Sequence, residues 1–263
     1  MDLLRPRSLE EALRLRAEHP DAHPIRGGTD VMVQVNFDRL RPPAMLDLGR
    51  VAELGGFARD GGRLVLGAGL TYTALMVAEV AAALPALAEA SRTVGSPQIR
   101  NRGTIGGNLG TASPAGDALP PLLVAGAEVR LVSLRGERVL PLAEFLLGPK
   151  KNALEPDELI ASVAVPPAVA TETFMKVGTR NAMVIAVCSL ALRVDRERGE
   201  IRAVYGSAGP VPALVTGSLD DVDGFPEAVA AACSPIDDVR GSAAYRRHAL
   251  RVLTRRALER CLA

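Results

Sequence analysis

The sequence predicts an α+β protein in which a larger N-terminal domain precedes a smaller C-terminal domain. Short strand-like segments alternate with helical patterns over the first 165 residues. A proline pair and a small-residue tract, "PPAVAT", then mark a boundary, which divides the chain into residues 1–168 and 169–263. Beyond it, "TFMKVG", "MVIAVCSLALRV" and "IRAVYGSAG" predict three strands joined by short polar turns, and such turns favour an antiparallel sheet.

In the N-terminal domain, Ser8 and Glu11 form a capping box for a first helix that ends near His19. "HPIRGGTDVMVQV" predicts a strand, a tight loop and a short helix or strand. "AMLDLGRVAEL" and "GRLVLGAGLTYTAL" each predict a brief strand, and Thr71 or Thr73 could cap a helix after the second. The order so far is therefore mixed helix and strand.

The next elements follow the same mixed pattern. "LPALAEASRTV" predicts a helix, because Leu84, Leu87 and Ser91 fall on one face. "DALPPLLVAGAEVRLVSLRGERVLPLAEFL" predicts a helix with early prolines, a hairpin that turns at Arg135-Gly136, and one helical turn. An alternating strand closes the domain at Pro166. In the C-terminal domain, "PEAVAAAC" and "SAAYRRHALRVLTRRALERCL" predict two final helices.

Composition excludes several functional classes. The chain has 263 residues, 48% of them hydrophobic, and 31 basic against 30 acidic residues give a net charge of +1. No overall field would attract nucleic acid or an anionic membrane. There is no signal-like segment and no run of 18 apolar residues, so we expect a cytoplasmic protein without a membrane span.

Metal and redox-cluster sites are not expected in this chain. Cys188, Cys233 and Cys261 are far apart and form no C-x-x-C motif, so the sequence predicts buried thiols rather than a zinc or iron-sulfur site. The three histidines are isolated, and we expect no catalytic role for them.

Two glycine-rich segments are candidates for binding an anion. They are residues 26–30, "RGGTD", and residues 104–108, "TIGGN". Glycine permits positive φ and close approach of a ligand to the backbone, so each segment could hold a diphosphate through its amides. Ordinary turns are the alternative. No P-loop motif occurs, and the G-x-G at residues 67–69 lacks a third glycine, which excludes a P-loop NTPase or a Rossmann dehydrogenase.

Five segments in order resemble the flavin-binding medium subunit of molybdenum hydroxylases of the xanthine dehydrogenase and carbon monoxide dehydrogenase family. They are "IRGGTDVMVQ", "LGAGLTYTAL", "GSPQIRNRGTIGGNLGTASPAGDALPPLLVAGAEV", "LEPDELIASVAVP" and "FMKVGTRNAMVIAVCSLAL". The resemblance implies an FAD-binding domain of the vanillyl-alcohol oxidase (PCMH) type with two subdomains over residues 1–168. It also implies a CO-dehydrogenase-flavoprotein-type domain over residues 169–263.

The resemblance also implies the cofactor contacts, with no catalytic or metal-ligating residue in this chain. The implied FAD-binding positions are Ile25, Arg26, Gly27, Gly28, Thr29, Asp30, Val31, Thr104, Ile105, Gly106, Gly107, Asn108, Ser113, Asp117, Ile160 and Lys176. For Asp117, a helix N-cap is the alternative role. Asn181, Ala182 and Met183 replace acidic residues that animal relatives carry near the flavin, and Val94 replaces an aromatic residue.

The implied function is electron transfer within a complex that hydroxylates xanthine or another purine, a related heterocycle, an aldehyde or CO. A large molybdopterin-binding subunit and a small [2Fe-2S] subunit would be the partners, and NAD, quinone or oxygen the final acceptor. A self-contained FAD oxidase or reductase and a flavin-free binding module are the alternatives.

The C-terminal helix carries a run of arginines, which predicts a solvated face, with a docking surface for an acidic partner as the alternative. They are Arg246, Arg247, Arg251, Arg255, Arg256 and Arg260.

Overall fold

The computed structural model describes residues 1–167 and 169–263, and it confirms the α+β class. The predicted boundary at residue 168 lies outside the described residues. The strands are β1 Asp2–Leu4, β2 His23–Ile25, β3 Ala44–Asp47, β4 Phe57–Asp60, β5 Arg63–Gly67, β6 Glu128–Ser133, β7 Gly136–Pro141, β8 Leu146–Gly148, β9 Lys151–Asn152, β10 Leu159–Val165, β11 Thr171–Val177, β12 Cys188–Asp195, β13 Glu200–Gly206 and β14 Ala213–Ser218. The helices are α1 Leu9–Glu18, α2 Val31–Asn36, α3 Ala78–Ala83, α4 Pro85–Thr93, α5 Pro97–Arg102, α6 Ile105–Thr111, α7 Leu119–Val124, α8 Leu142–Phe145, α9 Phe225–Ala232 and α10 Ala243–Leu262.

The first sheet is parallel, in the order β1-β3-β2, and α1 packs against it. The Ser8 hydroxyl caps α1 by accepting from the amide of Glu11 at 3.1 Å. The Glu11 carboxylate accepts from the amide of Arg7, whereas in a capping box it would accept from the amide of the N-cap residue, Ser8. The predicted first helix is confirmed.

The second sheet is antiparallel, in the order β4-β5-β10-β6-β7. Its central strand β10 is buried along nearly its whole length, although the sequence suggested alternation. Leu159 and Ala161 face the core beneath the parallel sheet, whereas Val163 and Val165 join the larger core around α4, α6 and α7. This sheet is therefore covered on both faces, which explains the apolar run.

The third sheet is antiparallel, in the order β11-β12-β13-β14, as the short turns predicted. One face packs on α9 and α10 and the other on α4 and α7. Two predictions here are wrong. The strand predicted from Met183 begins only at Cys188, because residues 178–187 leave the sheet, and β14 was missed.

Two further predictions need correction, and one helix was missed. Residues 104–108 do not form a loop: Thr104 is the N-cap of α6, and the glycines lie in its first turn. Helix α5, before it, was not predicted. Arg246, expected on a solvated face, is 1% exposed. Arg251 and Arg255 do lie at the surface, where both contact Glu227 on α9.

Within residues 1–167 and 169–263, no helix is long and apolar enough to cross a membrane.

Candidate functional site

A cleft with a cavity of about 780 Å³ lies where the parallel sheet, the five-stranded sheet and α6 meet. The walls come from the β2–α2 connection, the segment after β5, the first turns of α6, the 113–117 turn, β10 and the loop before β12. The volume lies within the range of small-molecule and cofactor pockets.

The β2–α2 connection presents free backbone donors to this cavity. The amides of Gly28, Thr29 and Asp30 donate to no protein acceptor within the described residues. Gly28 has φ +74°, which favours glycine, and a Cβ on Gly27 would lie 2.1 Å from the carbonyl oxygen of Arg102. Three successive unused amides in a turn of this kind can bind an anion.

The Arg26 side chain braces that connection from behind. Its guanidinium donates to the carbonyl oxygens of Leu48 at 2.6 Å and Gly69 at 3.2 Å. Burial lowers the pKa of Arg26; the negative charge of Asp47 opposes this shift, and the positive charge of Arg102 adds to it. The side chain thereby ties β2 to the ends of β3 and β5, and its contribution to the site is structural.

The first turn of α6 has a different construction. The amides of Ile105 and Gly106 are already used, because they donate to the carbonyl oxygens of Leu70 and Ala68 at 2.9 and 2.8 Å. The Thr104 hydroxyl accepts from the amide of Gly107 at 3.1 Å. These amides are not free for a ligand in this arrangement.

The two glycines of that turn therefore do different things. A Cβ on Gly106 would lie 2.7 Å from the backbone oxygen of Ala68, so Gly106 permits α6 to pack closely on the segment after β5. A Cβ on Gly107 would meet only Thr104 Oγ1, at 3.1 Å, and Gly107 lines the cavity. Gly107 consequently leaves a bare backbone surface toward the cavity.

Asp117 and Lys176 form a buried ion pair at the cavity wall. Asp117 Oδ2 accepts from Lys176 Nζ at 2.6 Å, and their side chains are 9% and 6% exposed. Burial raises the pKa of Asp117 to about 6, and Lys176 opposes that shift. The cap position of α7 is Ala118, which makes the N-cap alternative for Asp117 wrong.

The pair leaves one acceptor without a partner. Asp117 Oδ1 is buried and accepts no hydrogen bond in the described structure. Lys176 also donates to the carbonyl oxygen of Thr93 at 3.1 Å, which fixes the ammonium group. An unpartnered buried carboxylate oxygen is costly, and a ligand hydroxyl or N–H group would satisfy it.

The structure brings most of the predicted site residues together. Those that line the cavity are Ile25, Arg26, Gly27, Gly28, Thr29, Asp30, Val31, Thr104, Gly106, Gly107, Asn108, Ser113, Asp117 and Ile160. Ile105 does not line it but lies fully buried in the main core. Lys176 also lies outside the lining, but it contacts Asp117, which does line the cavity.

Several lining residues were not among the predicted FAD-binding positions. Tyr72 lines the cavity and is 6% exposed, and burial raises its pKa further than the negative charge of Asp117 does. Met183 and Ile185, which are 54% and 62% exposed, form an apolar rim. No local pattern marks these residues, because the loop that carries the rim lies more than 20 residues from every other wall in sequence.

These features fit a dinucleotide flavin. Free amides at Gly28, Thr29 and Asp30 suit a diphosphate, and the bare backbone at Gly107 allows close approach. The orphaned Oδ1 of Asp117 suits a donor on the flavin or its ribityl chain. Ile160 supplies an apolar surface for a ring.

Comparison with known proteins gives the same result. The family model for the FAD binding domain in molybdopterin dehydrogenase matches residues 1–168, and the model for the CO dehydrogenase flavoprotein C-terminal domain matches residues 173–261. The xanthine dehydrogenase FAD-binding subunit of Escherichia coli O157:H7 is 30% identical over 278 residues, covering 98% of this chain and 95% of that protein. The nicotinate dehydrogenase FAD-subunit of Eubacterium barkeri is 36% identical over 200 residues, covering 72% and 68%.

A solved structure agrees over the whole length. The carbon monoxide dehydrogenase of Hydrogenophaga pseudoflava, in a form that lacks the Mo-pyranopterin moiety, contains a chain that superposes with a TM-score of 0.93 at 26% identity. The match covers 100% of this chain and 97% of that one. The protein therefore belongs to the FAD-binding medium subunits of the xanthine dehydrogenase and carbon monoxide dehydrogenase family, the oxidoreductase subunits whose cofactor is FAD.

Proposed function

We propose that this chain relays electrons inside a multi-subunit molybdenum hydroxylase. A large molybdopterin-binding subunit would oxidise the substrate, a small [2Fe-2S] subunit would carry the electrons, and this chain would pass them to an external acceptor. The observation that carries the proposal is the cavity, whose free amides and orphaned carboxylate oxygen fit FAD. The isolated, buried cysteines offer no cluster ligands, so the iron-sulfur relay is assigned to a partner.

Each group of residues has a separate part in this proposal. FAD would supply the redox chemistry, while the protein supplies binding, orientation and electrostatics. The amides of Gly28, Thr29 and Asp30 would hold the diphosphate. Asp117, kept in place by Lys176, would accept a hydrogen bond from the flavin half. Ile160 would exclude water from one face of the ring.

The proposed domain division follows the family assignment. We propose a vanillyl-alcohol oxidase (PCMH) type FAD-binding domain of two subdomains over residues 1–168, the parallel and the five-stranded sheet each forming the core of one. Residues 169–263 would form the C-terminal domain around the four-stranded sheet. The large core that includes Phe174, Ala191 and Val204 supports a rigid junction, because it draws on both parts of the chain.

Anaerobic reduction of the flavin tests the relay. In a complex purified from its source, we expect substrate to bleach the flavin absorbance, and the same substrate to leave the flavin of the isolated chain oxidised while dithionite reduces it. Rapid reduction of the isolated chain by an organic substrate would instead establish a self-contained FAD oxidase or reductase.

The family assignment leaves several candidate substrates and electron acceptors for the complex. Candidate substrates are purines such as xanthine, related heterocycles, aldehydes and CO, and candidate acceptors are NAD, quinone and oxygen. Reoxidation of the bleached complex by each acceptor in turn, followed by absorbance, identifies the acceptor through the fastest recovery. Bleaching of the oxidised complex by each candidate substrate in turn identifies the substrate.

A further inference from the structure

Ser207, in the C-terminal domain, contacts two walls of the flavin cavity at once. It follows β13 and has a left-handed backbone, with φ +59°. Its amide donates to the carbonyl oxygen of Pro114 at 2.8 Å, and its hydroxyl donates to the carbonyl oxygen of Ala186 at 2.9 Å. Pro114 belongs to the turn that leads to Asp117, and Ala186 directly follows the apolar rim.

Arg246 of helix α10 fixes Ser207 from the other side. The guanidinium donates to the carbonyl oxygens of Ser207 at 2.5 Å and Val187 at 2.8 Å. It also contacts Asp238 at 2.5 Å. Arg246 is 1% exposed, whereas Arg247 beside it is exposed. A buried charged donor that satisfies two backbone oxygens and a carboxylate sets one geometry, because leaving any of the three unpaired is costly.

The carbonyl oxygens at residues 186 and 187 are both held by these contacts. Met183 to Ile185, just before them, form the rim, and Arg240 also donates to the Ala186 carbonyl oxygen, at the longer distance of 3.4 Å. Arg180 donates to the carbonyl oxygens of Ala182 and Met183 within the same loop. Met183 is itself left-handed, with φ +50°, so the loop needs anchors outside itself.

We infer that Ser207 and Arg246 are positioning residues for FAD: they hold the Asp117 turn and the Met183–Ile185 rim at a fixed separation across the cavity. Neither residue lines the cavity, so their effect on the cofactor is indirect. The inference rests on the assignment of the cavity to FAD. It makes helix α10, at the far end of the chain, a determinant of flavin binding.

The test compares Arg246→Met with the matched control Arg247→Met in the full chain. At a temperature where circular dichroism shows both variants fully folded, we expect the FAD dissociation constant of Arg246→Met to rise about tenfold or more. We also expect a changed visible circular dichroism band of the flavin. Amide exchange should accelerate at residues 181–187 and 113–117 and stay unchanged in β5 and β6. Arg247→Met should match the wild type in all three measurements.

Two further variants keep the test decisive if Arg246→Met fails to fold. Arg246→Lys keeps the positive charge, but one ammonium nitrogen cannot replace both Nη1, which serves the two carbonyl oxygens, and Nη2, which contacts Asp238. Ser207→Gly removes the whole hydroxymethyl side chain, and with it the bond to the Ala186 carbonyl oxygen, while easing the positive φ. We expect intermediate losses of FAD affinity for both. Folded variants that bind FAD within twofold of the wild type, with unchanged exchange at 181–187, would overturn the inference. A wild-type chain that binds no FAD would contradict the cavity assignment instead.

Discussion

Replacing Gly107 with Val should weaken FAD binding while leaving the fold intact. Gly107 lies in the first turn of α6, and its Cβ position is open except for Thr104 Oγ1 at 3.1 Å. Valine forms helix better than glycine by a few tenths of a kcal/mol, whereas a weakened Thr104 cap would cost about 1 kcal/mol. The free energy of unfolding should therefore change by about 1 kcal/mol or less.

The effect on the cofactor should be much larger. The branched side chain would enter the cavity at the surface where backbone and diphosphate approach each other. Overpacking of this kind costs about 1–3 kcal/mol, which corresponds to roughly a 5- to 150-fold weaker FAD affinity. The assay is fluorescence titration of the flavin-free chain with FAD, paired with urea unfolding of the same samples.

Gly106→Ala is the matched control, because at this neighbouring glycine we expect a loss of stability rather than a direct effect on FAD. Its Cβ would lie 2.7 Å from the Ala68 backbone oxygen, so this variant should lose several kcal/mol of stability. A Gly107→Val protein that binds FAD as tightly as the wild type would refute the placement of the cofactor against α6.

Three other substitutions test the charged groups and the first loop. Asp117→Asn should flatten the pH dependence of FAD binding. In the wild type, FAD affinity should fall as pH drops through about 6, because a protonated Asp117 loses an acceptor. FAD titrations of both proteins from pH 5 to 8 would show this difference. Glu172→Gln should stabilise the protein relative to the wild type, and this gain in the free energy of unfolding should be about 1–2 kcal/mol larger at pH 8 than at pH 4.5. Burial raises the pKa of Glu172 to about 7, so the folded wild type keeps a proton that the unfolded chain releases near its ordinary pKa. The stability of the wild type therefore falls as pH rises between those two pKa values. Equal urea midpoints for variant and wild type at both pH values would contradict this prediction. Gly27→Ala should destabilise the chain by about 3 kcal/mol or more, since the methyl group would lie 2.1 Å from the Arg102 carbonyl oxygen, and thermal unfolding measures this.

Local patterns in the sequence predicted much of the fold. The Ser8 cap, the early prolines of α7 and the turn at Arg135-Gly136 all lie in the predicted elements. The strand β10 was predicted correctly, but its burial on both faces was not, and the patterns failed where a loop kept an apolar sequence, as at Met183. Apolar residues there cover a cavity rather than a sheet, which periodicity cannot distinguish.

The site was less accessible to sequence reasoning than the fold. The two Gly-Gly pairs are visible in the sequence, but only packing distinguishes Gly106, which contacts Ala68, from Gly107, which faces the cavity. The Asp117–Lys176 pair joins residues 59 positions apart. Resemblance placed both residues near the flavin, whereas their contact, and the burial that raises the pKa of Asp117, depend on tertiary structure.

The most direct test of the central claim is the identity and amount of flavin held by the isolated chain. After reconstitution with a mixture of FAD and FMN and removal of free flavin, heat should release one FAD per chain, identified by chromatography. The protein pellet should be colourless, since we expect no covalent bond. Release of FMN alone, flavin that remains attached after denaturation, or a chain that retains no flavin would contradict the account.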